Sequence, residues 1–242
     1  MALRIQLTVN VRAERNEAFQ DSLRSLAERS REGAGLYWTT YETRFGALAQ
    51  WHFMNEADQW ADLSRRGNAV SYIRNQLGEA AARPILEELY RSIVSSKQRV
   101  KRIRPELSYL PEPLDGSRTM ALLHLSRARL GWAGDVEDMI REVALAIPKV
   151  DDRERMITHQ STIGEVGVYS VARWGRDEAD LDGQLGPDEI LGRVHGSTIG
   201  TEIWRRGLSA MESAERWILV YRADLSNPRP RELSDGVEIV SP

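Results

Sequence analysis

The sequence contains no cysteine, which excludes disulfides, thiolate catalysis and any zinc site built on cysteine. Histidine is scarce: His52, His124, His159 and His195 are the whole set, so a three-histidine metal site needs them to converge from distant segments. No stretch approaches the ~18 consecutive apolar residues of a membrane span. The N-terminal run alternates apolar and polar residues where a signal peptide is continuously apolar, so a cytoplasmic location is expected. Charge of neither sign dominates. A formal net charge of -3 provides no global field for nucleic acid or an anionic membrane, and neither is expected as a partner. Glycine-rich phosphate loops, catalytic-triad motifs and zinc-type spacings are missing as well.

What is present suits a folded chain. Hydrophobic residues make up 41% and charged residues 29% of 242 positions, enough for two domains. Abundant Arg and Ala beside little Lys point to a bacterial source. Leu3 to Arg12 has strict period two, with Ile5, Leu7 and Val9 on one face and Gln6, Thr8 and Asn10 on the other, which predicts a strand. Asn16 to Ser30 has helical spacing at Phe19, Leu23, Leu26 and Ala27. Leu36 to Glu42 and Ala47 to Met54 read as strands joined by a hairpin at Thr43 to Gly46. Glu56 to Arg66 and Ser71 to Tyr90 read as helices, the second kinked or divided by Pro84. Ile93 to Ile103 is the last strand of this half.

Residues 105–118 hold Pro105, Pro111, Pro113 and Gly116 and read as a linker. The order then repeats. Met120 to Arg127 is a strand, and Gly134 to Ile147 a helix with Val136, Met139, Ile140, Val143 and Ala144 in one stripe. Arg155 to Gln160 and Val166 to Trp174 are strands turning at Ser161 to Gly164. Asp188 to Val194 and Thr198 to Ser213 are helical, and Arg216 to Asp224 closes the half. The expected fold is α+β: two tandem ferredoxin-like βαββαβ domains, 1–104 and 119–227, packed sheet to sheet as a fused α/β barrel, with a loose tail over 228–242.

Particular residues carry a family resemblance. Leu36 to Tyr41, Phe45-Gly46-Ala47-Leu48 through Phe53, Glu56 to Trp60, and Arg83 to Glu88 resemble the NIPSNAP branch of the dimeric α/β-barrel superfamily. The resemblance covers about residues 3–104; beyond it only the order of elements matches. It implies oxygenation or cyclisation of an aromatic or polyketide-like molecule, among other chemistries, and carries no catalytic motif residue by residue.

Candidate site residues follow from the strand faces. Gln6, Thr8 and Asn10 are expected on an inner face, away from the helices. Matching Leu123 and Leu125 with Leu7 and Val9 puts His124 and Ser126 on the corresponding inner face. A polar inner face suits a cavity, because buried polar groups need partners. His124, His52 and His159 are the candidate acid/base residues, His159 standing in the place of Tyr41. Gln50, Trp51, Tyr41 and Tyr169 join Gln6, Thr8, Asn10 and Ser126 as candidate substrate contacts; Tyr72 is a further hydroxyl donor. Seven tryptophans read mostly as packing. The basic run Lys97, Arg99, Lys101, Arg102 and Arg104 reads as a solvated edge strand.

The expected function is therefore a small-molecule enzyme with no cofactor and no metal, acting on a small hydrophobic or aromatic molecule, as a monomer or homodimer. The alternatives are a non-catalytic scaffold and a haem-binding protein with His124 or His159 as the axial ligand.

Overall fold

The computed structural model describes residues 3–31, 37–62, 69–110, 118–151 and 154–228. They form two compact units. One comprises the described residues up to Val100 together with those from Val220, and the other runs from Lys101 to Leu219.

The first unit contains β1 (Leu3–Val11), α1 (Asn16–Arg31), β2 (Thr39–Phe45), β3 (Gln50–Ala57), α2 (Ala69–Leu77), α3 (Glu79–Ser92) and most of β4 (Ile93–Ile103). The second contains β5 (Met120–Ala128), α4 (Ala133–Val150), β6 (Met156–Ile163), β7 (Val168–Gly175), α5 (Glu178–Asp182), α6 (Pro187–His195), α7 (Ser197–Ser209) and most of β8 (Met211–Tyr221). In each unit the first and third strands pair antiparallel, and so do the second and third. The ends of β4 and β8 carry the hydrogen bonding onward, giving eight strands in the closed order β1-β3-β2-β8-β5-β7-β6-β4. The fold is thus an α+β closed antiparallel barrel.

The helices bury one face of each sheet. In the first unit Val9, Val11 and Trp51 pack on Phe19 and Leu23 of α1, with the Phe19 and Trp51 rings 5.9 Å apart. In the second, Met156 and Tyr169 pack on Val136, Met139, Ile140 and Val143, so the stripe expected on α4 is the buried one. Each such side chain contributes roughly 1.5–3 kcal/mol by leaving water.

Boundaries differ from expectation where local signals compete. β3 runs on to Ala57, through residues expected to begin a helix, and helical residues start only at Trp60. Residues 63–68 lie outside the described residues, as do 111–117 of the expected linker and 229–242 of the expected tail. The helical stretch after Ala69 divides at Gly78 (φ 76°), six residues before Pro84, which sits inside α3. Both hairpins turn three residues later than expected, at 46–49 and 164–167. Nor is the basic run a solvated edge. β4 has neighbours on both sides in the closed order, and Arg99 and Lys101 are 6% and 4% exposed. Lys101 Nζ donates to Ser170 Oγ at 2.8 Å, and Arg104 pairs with Glu137 at 2.8 Å.

One motif occurs twice. In the second unit Arg104-Pro105-Glu106-Leu107-Ser108 follows β4, and Thr158 Oγ1 donates to the Leu107 carbonyl at 2.6 Å while Ser108 Oγ accepts from Thr158 N at 2.9 Å. In the first unit Arg222-Ala223-Asp224-Leu225-Ser226 follows β8, and Thr40 makes the same two bonds to Leu225 and Ser226, at 2.7 and 2.9 Å. Both leucines are fully buried.

The two hairpin loops also match in position but not in residue. Gly167 has φ 71° and Ala49, at the corresponding place, φ 50°. A Cβ in the left-handed region costs ~1–2 kcal/mol. Gly167→Ala is therefore expected to lower stability by about 1 kcal/mol in urea unfolding. Ala49→Gly should raise it by about half that, because its methyl also packs against the Val9 and Trp51 cluster. The same sign for both changes would show that the turns are not equivalent.

Candidate functional site

Register decides which residues meet. In the first unit Gln6 pairs with Met54, Thr8 with His52, and Tyr41 with His52, so these side chains share the face away from the helices. His52 is completely buried. Gln6 Nε2 and Thr8 Oγ1 lie 3.0 and 3.2 Å from its Nδ1, and Thr43 Oγ1 lies 3.0 Å from its Nε2. Gln50 joins Thr43 at 3.4 Å and donates to Asn10, which donates to Ser95. Tyr41 stands beside this network, its ring 5.6 Å from that of Tyr221. Burial pushes its hydroxyl far above the usual tyrosine range. The expected polar face is therefore real, and its groups satisfy one another.

Two aromatic candidates do not belong to a site. Trp51 lies under α1, its Nε1 donating to Asn16 Oδ1 at 2.9 Å. Tyr169 lies under α4, its hydroxyl donating to Glu137 at 2.6 Å. Both are helix-side core residues: Trp51 clusters with Val9 and Phe19, and Tyr169 with Val136 and Ile140. The side chain of Tyr72 lies outside the described residues.

In the second unit the expected face of β5 is inverted. The Thr158 latch corresponds to the Thr40 latch. Thr40 pairs with Phe53, and Phe53 with Leu7; Thr158 pairs with Val171, and Val171 with His124. His124 therefore occupies the place of Leu7, and Ser126 that of Val9: both lie beneath the helices. Leu123 and Leu125 take the other face, which His159 and Ser170 share. A slip of one residue reverses every side chain of a strand. The slip was available because Met120, Ala121, Leu123 and Ala128 are all buried, so β5 has no polar face to mark its phase. His159 does stand in register where Tyr41 does, opposite Ser170 as Tyr41 is opposite His52. His195 ends α6 near Glu142.

The inversion puts His124 at a cavity. Between the sheet of the second unit and its helices lies a space of about 240 Å³. Its walls are apolar, from Met139, Ile140 and Val143 of α4, Val171 of β7, and Trp204 and Leu208 of α7. Its polar lining is His124, Ser126, Arg173, Glu215 and Arg216. Arg173 is 2% exposed. Its Nε donates to Glu154, and its Nη1 to the Leu185 carbonyl at 2.7 Å; Nη2 is buried with no hydrogen-bond partner. Arg216 Nε donates to His124 Nδ1 at 3.2 Å, and His124 Nε2 is buried with no partner. An arginine N–H always donates, so Nδ1 accepts and Nε2 carries the proton. Burial first, then Arg216 and Arg173, lower the His124 pKa to about 4, so the ring is neutral at pH 7. Burial raises the Glu154 carboxyl against the opposing pull of Arg173.

Arg173, Arg216 and Glu154 were not anticipated. A charged residue at the third of three alternate positions, after Tyr169 and Val171 on a strand otherwise free of charge, is the signal for Arg173.

No family model and no curated protein matches the sequence. Solved structures match the fold. One is a candidate monooxygenase from Lactobacillus acidophilus NCFM, at 8% identity and TM-score 0.56 over 94% of this chain and 97% of that one. Another is an anthrone oxidase-like protein, at 8% identity and TM-score 0.59 over 91% of each chain. A third is chlorite dismutase from Candidatus Nitrospira defluvii in complex with imidazole, at 12% identity and TM-score 0.51 over 92% of each chain. Identities this low establish the fold alone.

The expectation of no cofactor is corrected by that likeness, since chlorite dismutase is haem-dependent and shares the fold. The cavity beside His124 does not fit a haem. Its volume of about 240 Å³ lies at the lower edge of the ~300–1,000 Å³ of ligand pockets, which leaves room for a small aromatic molecule and none for a porphyrin. Nε2 of His124, moreover, carries a proton where an iron ligand needs a lone pair. Among the described residues no cluster of three His, Asp or Glu is placed to hold a metal ion, and no helix is long and apolar enough to cross a membrane.

The lowered pKa of His124 makes stability depend on pH. Its folded value of about 4 lies below the ordinary 6.5. Between these the unfolded chain binds more protons, so the contribution is complete above about 6.5 and is lost as pH falls to 4. The loss expected is on the order of 2–3 kcal/mol. Urea unfolding at pH 7 and pH 4.5 should show a smaller drop for His124→Leu than for the parent protein. Equal drops would mean that His124 is solvated.

Proposed function

We propose that this chain is an enzyme that oxygenates or cyclises an aromatic or polyketide-like small molecule in the cavity of its second unit. The observation that carries the reading is an apolar cavity with two buried N–H donors, His124 Nε2 and Arg173 Nη2, that have no partner. Both reaction types pass through an enolate or phenolate, whose charge rests on oxygen. Fixed donors in a water-poor site stabilise such a charge strongly. In the oxygenation, dioxygen is the oxidant: an activated methylene and O2 become a carbonyl and water, which balances without a further reductant.

The roles of the side chains follow. His124 acts as a neutral hydrogen-bond donor in place of the expected acid/base, because Arg216 occupies Nδ1 and the low pKa keeps the ring uncharged. Arg173 supplies charge, held in place by Glu154 and the Leu185 carbonyl. Ser126 lies at the same polar end. His52 and its partners in the first unit form a closed hydrogen-bonded network and act as structure.

The scaffold we infer is a tandem of βαββαβ domains over 1–104 and 119–227. The repeated element order and the repeated Arg-x-acid-Leu-Ser latch support it. The NIPSNAP-like residues of 3–104 support the same ancestry for the first domain.

Oxygen uptake and product formation with a panel of anthrones and polyphenols test the reading. His124→Gln retains an N–H donor and should keep turnover within about tenfold, while His124→Leu should lose roughly 10²–10³-fold. Equal losses would restore the acid/base role. No turnover of any panel member by the parent protein would remove the enzymatic reading.

A further inference from the structure

We infer that the cavity takes its ligand as an organic oxyanion, a carboxylate or an acidic enolate or phenolate on an apolar body, and that Arg173 determines this choice. The inference rests on the proposed use of the cavity and adds the class of ligand.

The polar end is unbalanced in a specific way. Arg173 is 2% exposed and lines the cavity, yet only two of its three nitrogens are bonded. Glu154 and the Leu185 carbonyl take Nε and Nη1; Nη2 has nothing. His124, beside it, offers Nε2–H and nothing else, since Nδ1 receives the Arg216 N–H. Two donors thus stand without an acceptor in a buried apolar setting, where an unmade bond to a charged group is costly.

The surrounding charges agree. The groups that act on the His124 ring are Arg216 and Arg173, both disfavouring its protonation, with no carboxylate opposing them. Two guanidinium groups, Arg173 and Arg216, thus stand at this end of the cavity. Glu154 is engaged by Arg173 Nε, and Glu215 and Arg216 both lie on the exposed part of β8. A hydroxyl or amide ligand would bring donors of its own to a place that already has too many. An oxyanion brings acceptors alone, and charge-assisted bonds to guanidinium are about twice as strong as neutral ones. Trp204, Leu208 and Val171 then cover the apolar body.

The test compares 2-naphthoate with 2-naphthamide, nearly equal in shape and different in charge, by calorimetric titration of the intact protein at pH 7. Naphthoate should bind at least about tenfold more tightly. For the enolate and phenolate class, bound 4-nitrophenol should show phenolate absorption at a lower pH than free 4-nitrophenol. Naphthamide binding as tightly as naphthoate overturns the anion inference and leaves the cavity as a ligand site. Neither probe binding at millimolar concentration overturns both. Arg173→Met combined with Glu154→Gln removes the buried pair together, so no lone charge is left inside. That variant should lose the preference for naphthoate; a preference that survives would take the choice away from Arg173. Should the double variant not fold, the comparison on the parent protein still decides the inference.

Discussion

Thr40 and Thr158 each hold a buried leucine carbonyl through the side-chain hydroxyl, and the register of each sheet is anchored there. Strand side chains alternate with period two, so a single anchored position assigns the face of every other. From Thr158 the register passes to Val171 and then to His124. That chain of pairings takes His124 and Ser126 beneath α4 and α7, and leaves Leu123 and Leu125 on the opposite face.

The two units use buried polarity differently. In the first, Gln6, Thr8, Thr43, Gln50 and His52 bond one another, and such a network stabilises without offering anything to a ligand. In the second, a charged pair is buried at Arg173 and Glu154, with side chains 3% and 4% exposed. Removing one partner of such a pair costs ~3–5 kcal/mol, so the pair holds Arg173 rigidly in place. It does so through Nε, while Nη1 is held by the Leu185 carbonyl. Polarity in the first unit is satisfied internally, and the surplus of donors at His124 and Arg173 marks the polar end of the cavity.

Much of the architecture was legible in the sequence. The strict alternation of β1 separated Leu7 and Val9 from Gln6 and Thr8, and the structure keeps that separation. The stripe on α4 was equally plain. Turns are less so: glycine suits either end of a turn, and Gly46 and Gly164 are each the first residue of one where the pattern predicts the last. The repeated Arg-x-acid-Leu-Ser motif was visible at Arg104 and Arg222, but its proline drew the first copy into a supposed linker. Trp51 and Tyr169 looked like ligand contacts because aromatic residues serve both cores and pockets, and only packing tells which.

By itself the sequence determined the order of elements and the amphipathic faces of β1, α1 and α4, because one-sided burial leaves a periodic mark on the residues. Only the tertiary structure decided which way β5 faces. Both sides of that strand are buried, so its residues carry no phase, and the register must come from hydrogen bonds to strands far away in the chain. The same holds for the meeting of His124, Arg173 and Arg216: three residues on three strands become one site through pairing, which no local pattern records.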